Sequence, residues 1–353
     1  MNLDDLSMRA ALDPQDMYQQ ISSLPDQLNA AWQLGKSQPL PAMNHIRQIV
    51  LSGMGGSAIG ADLLAAYSAH TCPFPVMIHR DYDLPAFANG PDTLVVASSH
   101  SGNTEETLSG YELALQRGCR TLAITTGGKL AQLANASDQP VWRFSHDGQP
   151  RAAVGFSFAL LLALLTKLNL IPDPSQELHG AIETMRQQQE NLHIEIPTAR
   201  NPAKRLAGQL VGRWVSVFGS GLLAPVARRW KGQISELAKA WAQFEFLPEA
   251  NHNTLAGILN PEALFNHSIA LFLQSSCDHP RNQLRSTLTR QAFLMEGLNT
   301  DVFHAQGDTA LSQLWSTLHF GDYMAYYLAM AYAVDPTPVA AIEQFKLEMA
   351  KAE

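Results

Sequence analysis

Three cysteines in 353 residues are too few for a disulfide framework. Cys72, Cys119 and Cys277 stand far apart and match no metal-ligand spacing. That usage fits a reducing, intracellular compartment. Positive charge is scarce too: 24 Lys and Arg against 32 Asp and Glu give a formal net charge of −8. Nucleic-acid binders usually carry a basic domain or stripe, so that class is excluded. An anionic ligand must then be held by local groups that outweigh the global charge. Long apolar runs are missing as well. The longest, residues 152–166, contains Gly155 and Ser157 and is too short to span a bilayer comfortably. It reads as a buried core helix. The opening Met1-Asn2-Leu3-Asp4-Asp5 is polar and acidic, unlike a signal peptide. The expected location is the cytoplasm, with neither membrane nor nucleic acid as partner.

What is present is apolar material for a large core, 46% of the chain against 16% charged. At roughly 150 residues per domain, the length suggests two domains. Residues 1–45 read as an N-terminal helical extension. Then strands alternate with helices: strands at 46–51, 76–79, 94–98, 121–125 and 141–144, helices at 58–69, 105–117 and 152–168. This spacing predicts an α/β fold with a doubly wound, mostly parallel sheet flanked by helices. Such a sheet is buried on both faces, which accounts for Leu94-Val95-Val96-Ala97. A first unit spans 46–170, and 171–205 reads as a connecting helix. Strands resume at 214–218, 269–274 and 301–304 in a second unit, 206–334, whose long apolar helix (311–333) ends before Pro336 and Pro338. Residues 335–353 form a helical tail. The tyrosines at 323, 326 and 327 fall at helical spacing and read as core or dimer packing.

Two loops follow strands directly. The first, Ser52-Gly53-Met54-Gly55-Gly56-Ser57, allows positive φ and close backbone approach, and the helix after it offers free N–H groups. A dinucleotide site is the rival reading, since Gly53, Gly55 and Ala58 nearly meet its pattern. Against it, the strand at 76–79 ends in His79-Arg80, although Asp81 and Asp83 lie close by. The second loop, Ser99-His100-Ser101-Gly102-Asn103-Thr104, sets three hydroxyls at a helix N-terminus. A cap needs one hydroxyl; three suit a phosphate, which the helix dipole also favours. His100 reads as a spacer pointing away. In an open α/β sheet ligands bind at the carboxyl edge, so Gly56, Ser57, Ser99, Ser101 and Thr104 can face one phosphate.

The stretches Gly53-Met54-Gly55-Gly56-Ser57-Ala58-Ile59-Gly60 and Ser99-His100-Ser101-Gly102-Asn103-Thr104 together resemble the sugar isomerase (SIS) fold. Pro150-Arg151-Ala152-Ala153, Arg229-Trp230-Lys231-Gly232-Gln233, Asn251-His252-Asn253, Gly321-Asp322-Tyr323 and Asp335-Pro336-Thr337-Pro338 narrow the resemblance to bifunctional phosphoglucose/phosphomannose isomerases. It covers most of the chain beyond residue 45. The resemblance implies two SIS-type, flavodoxin-like subdomains, no metal and no organic cofactor. It also implies a homodimer with active sites at the subunit interface and a hexose 6-phosphate substrate. The family's catalytic glutamate falls on Glu236 and its ring-opening histidine on His252, reaching the partner subunit's site. Its arginine falls on Arg151 and its C-terminal lysine on Lys346. Where the family often has Asn on both sides of the glutamate, this chain has Ser235 and Leu237.

Aldose–ketose isomerisation fits those residue types. An imidazole titrates near neutral pH, so His252 suits ring opening, with Lys346 assisting. Glu236 can take a proton from C2 and return it to C1, and Arg151 can stabilise the enediolate. The rival readings are a non-catalytic sugar-phosphate regulator on the same fold, or a related SIS enzyme of another phosphosugar, such as an amino-sugar deaminase.

Overall fold

The computed structural model describes residues 2–43 and 45–351. Met1, Asn44, Ala352 and Glu353, which belong to the expected extension and tail, lie outside the described residues. The chain opens with α1 (Leu6–Leu12), α2 (Met17–Ser22) and α3 (Leu24–Ser37). Next come β1 (Gln48–Ser52), α4 (Gly55–Ser68), β2 (Val76–His79), β3 (Thr93–Ser99), α5 (Glu105–Gln116), β4 (Arg120–Thr125), α6 (Gly128–Ala136) and β5 (Val141–Arg143). These strands form one parallel sheet in the order β2-β1-β3-β4-β5. That is the flavodoxin-like order, with its switch point between β1 and β3. Ile49 lies opposite Leu94 and Leu51 opposite Val96. Every residue of central β3 is buried, as its unbroken apolar run requires.

After a 3-10 turn, Pro150–Ala152, the apolar run forms α7 (Val154–Lys167), sealed between α3 and α4. The segment 171–205, expected as one connecting helix, is instead two: α8 (Ser175–Gln189) and α9 (Pro202–Leu210). Pro197 and Pro202 remove donors that a continuous helix would need. Asn201 caps the new start, its side chain accepting from the N–H groups of Ala203 and Lys204.

The second half continues through β6 (Trp214–Ser220), α10 (Ala224–Ala238), β7 (Ala242–Leu247), β8 (Ser268–Gln274), α11 (Pro280–Met295), β9 (Asn299–His304), α12 (Ala310–Ala331) and α13 (Ala340–Met349). Its parallel sheet has the order β7-β6-β8-β9, repeating the plan of the first with a strand fewer. In its switch-point crevice the buried Asp278 carboxylate accepts from Ser220 Oγ at 2.5 Å and Leu222 N–H at 3.3 Å. α12 is the spine of this half, packed on α8, α9 and α10. Tyr323, Tyr326 and Tyr327 are buried in the core, as their spacing predicts. Among the described residues, no helix is long and apolar enough to cross a membrane.

His319, on α12, is fully buried, and Nε2–H donates to the Ile21 carbonyl at 3.0 Å. Its Nδ1 has no hydrogen-bond partner. Burial holds this imidazole down to about 4, so the native state keeps it neutral. In the unfolded chain it titrates near its ordinary ~6.5. Its contribution to stability is therefore complete above pH 6.5 and is lost as pH falls towards 4. Between pH 7 and pH 5 the expected loss is about 2 kcal/mol from this group. Urea unfolding at the two pH values checks it. A His319→Gln variant should show a shallower pH dependence, and an unchanged one would remove His319 as the source.

Candidate active site

The crevice between β1 and β3 is built by two loops pressed together. After β1, Gly53 passes so close to β3 that a Cβ there would lie 2.8 Å from the Ser98 carbonyl. Gly56 is equally tight against the 3-10 turn, where a Cβ would sit 2.6 Å from the Pro150 oxygen. Glycine is what lets that turn, with Arg151 on it, lie against the start of α4.

After β3, Ser99 Oγ and Thr104 Oγ1 meet at 2.9 Å, and Ser99 Oγ also accepts from Gly102 N–H at 3.0 Å. Ser101 Oγ accepts from Asn103 N–H at 3.2 Å. Thr104 stands at the N-cap of α5 but makes no side-chain cap bond, so capping does not account for its hydroxyl. Glu105 and Glu106 occupy the first turn of α5, and Tyr82 Oη donates to Glu105 at 3.0 Å. His100 meets His146, Nε2 to Nδ1 at 3.0 Å, beside Phe144. Burial first, then the His146 neighbour, pulls His100 down to about 4, so it is neutral at pH 7.

Arg151 is buried, with 4% of its surface exposed. Nη2 donates to the carbonyls of Pro336 (2.9 Å) and Thr337. Nη1 lies 3.7 Å from Glu236 Oε2. Desolvation lowers its pKa from the ordinary arginine value; Arg229 adds to this, while Glu236 and Asp335 oppose it. Glu236, in the last turn of α10, keeps a third of its side chain exposed. Lys239 closes that helix in the left-handed region (φ 55°), donating to the Glu236 carbonyl at 2.6 Å. Burial, then Arg151, draws its ammonium down to about 8. A cavity of about 830 Å³ opens beside Glu236, lined also by Lys231, Lys239, Asp335 and Val339.

The chain thus brings Arg151 and Glu236 together, with Arg151 packed next to Gly56. Among the described residues, no side-chain hydrogen bond or ion pair links His252 or Lys346 to that pair, although Ala340, Ala341 and Ile342 at the start of α13 line the cavity. His252 is exposed at the end of the turn Glu249–Asn251, a turn tied to α11 by Asn251, which accepts from Arg285 at 3.1 Å and donates to Thr289 at 2.7 Å. Lys346 lies on α13, of which no residue is buried. Among the described residues, no group of three or more His, Cys, Asp or Glu could hold a metal ion.

A family model described as a SIS domain matches residues 42–140, and one described as a bacterial phospho-glucose isomerase C-terminal SIS domain matches 199–349. The chain is 38% identical to a bifunctional phosphoglucose/phosphomannose isomerase of Caldicellulosiruptor bescii, over 95% of this chain and 99% of that protein. It belongs to that family. A bifunctional phosphoglucose/phosphomannose isomerase of Aquifex aeolicus is 34% identical over 86% of this chain and 90% of its own. In fold, the chain is similar to the C-terminal domain of glucosamine-fructose-6-phosphate aminotransferase from Francisella tularensis. That match has a TM-score of 0.74 and 15% identity, over 91% of this chain and 98% of the other.

Within the isomerase family fold, reasoning from sequence alone gave no role to Lys239 or to the carbonyls of Pro336 and Thr337. The Asp335-Pro336-Thr337-Pro338 run was a signal that this segment is rigid. Backbone acceptors carry no residue-type signature, so only the folded chain reveals that they hold Arg151.

Proposed function

We propose that this chain is an aldose–ketose isomerase, interconverting glucose 6-phosphate and mannose 6-phosphate with fructose 6-phosphate through a cis-enediol(ate). One observation carries the reading. A buried guanidinium and a carboxylate one-third exposed face each other at 3.7 Å beside a glycine turn suited to phosphate. In this reading Gly56, Ser57, Ser99, Ser101 and Thr104 hold the phosphate, and that remote binding energy keeps the sugar in a reactive pose. Glu236 takes the proton from C2 and returns it to C1 on the same face, while the fixed charge of Arg151 stabilises the enediolate oxygen. Ring opening moves a proton between O1 and O5. His252 from a second copy performs it, assisted by Lys346, and its exposure on the surface of one chain supports a shared site. The working unit is then a cytoplasmic homodimer, each chain divided into subdomains at 46–170 and 206–334, and the reaction needs neither metal nor cofactor.

Formation of fructose 6-phosphate from each aldose, with EDTA present, tests the reading; no turnover of either would overturn it. Mixing Glu236→Gln and His252→Ala chains should restore part of the activity. Verified heterodimers without restoration would rule out the shared site.

A further inference from the structure

Two motif stretches left without a role above, Arg229-Trp230 and Gly321-Asp322-Tyr323, meet across the α10–α12 contact. Arg229 Nε donates to Asp322 Oδ1 at 3.0 Å and Nη2 to Oδ2 at 2.8 Å, with 4% of each side chain exposed. Trp230 Nε1–H donates to the Thr317 carbonyl at 3.0 Å. The indole lies so close to α12 that a Cβ on Gly321 would come within 2.0 Å of that nitrogen. The two helices are thereby fixed in axial register. Two helical turns further along α10, on the same face as Arg229, stands Glu236. Arg229 is also close enough to Arg151 to disfavour its charge.

A planar guanidinium edge is matched by one carboxylate, and Asp322 takes the Nε–Nη2 edge with both its oxygens. Without that carboxylate a buried cation would stand uncompensated beside Arg151, and such a charge recruits any carboxylate on its face. We propose that Asp322 is a positioning residue for the isomerisation: by occupying the Arg229 fork it leaves the Glu236 carboxylate to Arg151. The inference rests on the isomerase reading above. The other charged groups facing Glu236 are Arg151 from the 3-10 turn, Lys231 and Lys239 from α10, and Asp335 ahead of α13. None of these changes in the variants that follow.

The test is steady-state kinetics of Asp322→Asn from pH 5 to 9, beside its urea midpoint. The expected result is a kcat lowered 10- to 100-fold and a KM within threefold of wild type. The acid limb of kcat/KM should move to lower pH, because the released Arg229 charge now acts on Glu236. In Arg229→Met/Asp322→Leu the stray cation is gone, and apolar replacement of a buried pair is often tolerated. There the limb should return to its wild-type position, with kcat within tenfold of wild type. A folded Asp322→Asn protein with wild-type kcat and limb would overturn the proposal, leaving the pair a packing element. If Asp322→Asn does not fold, the double variant decides: a displaced limb or a kcat loss beyond tenfold overturns it. An inactive wild-type protein would strike instead at the isomerase reading.

Discussion

Glu236→Gln should lower kcat for hexose-phosphate isomerisation by about 10²- to 10⁴-fold, the usual contribution of a positioned general base. KM should stay within about threefold. The carboxamide keeps the size of the side chain and one acceptor for Arg151 at the 3.7 Å contact, but it cannot take the C2 proton. The loops after β1 and β3, proposed here to hold the phosphate, are untouched by the change, so ground-state binding should be retained. Two measurements check this: initial rates from each aldose phosphate, and the affinity for inorganic phosphate as a control on the binding half. A variant within tenfold of wild type would remove Glu236 as the base and point to another group on the 830 Å³ cavity, Lys239 being the first to examine.

Gly102→Ala should be the most damaging single methyl in the hydroxyl loop. Gly102 has φ +67°, and a Cβ there would stand 1.9 Å from the Gly127 carbonyl oxygen and 2.9 Å from Thr125 Oγ1. The obstacle is backbone, so it cannot swing aside. Left-handed strain costs roughly 1–3 kcal/mol, and overpacking adds about 1–3 kcal/mol. The expected loss is about 3 kcal/mol or more, together with loss of phosphate binding, because the Gly102 N–H to Ser99 Oγ bond would be displaced. Gly118→Ala is the matched control: φ is +66° there, and nothing lies within 4 Å of the added carbon. It should cost only the strain. Equal urea midpoints for the two variants would show that the Gly102–Gly127 approach is not rigid.

The first half was largely legible in the sequence because its signals are local. Buried parallel strands announce themselves as apolar runs, and β3 (Thr93–Ser99) extends the expected 94–98 by a residue at each end. β7 escaped because Ala242–Leu247 is a half-buried edge strand whose residues alternate rather than run apolar. α11 escaped because only Ser286, Thr289 and Phe293 are buried, leaving no apolar stripe to read. The site divides in the same way. Ser99 to Thr104 is one contiguous stretch, with its chemistry in the residue types themselves. The Arg151–Glu236 contact joins the 3-10 turn ahead of α7 to the end of α10, and no local pattern encodes such a meeting. It entered the reading through resemblance alone. The single connecting helix expected at 171–205 failed for a local reason that was visible, since Pro197 and Pro202 stand inside it.

The two halves share one plan, yet Asp278 makes them thermodynamically unequal. In the second half the anion at the switch point is covalently part of the chain, at an effective concentration that dilution cannot change. In the first half, in the reading proposed here, the corresponding anion arrives with the substrate. Stability there is linked to ligand concentration, growing by RT ln(1 + [L]/Kd) as hexose phosphate accumulates. One half is thus a self-supporting base, and the other tightens only when there is something to convert.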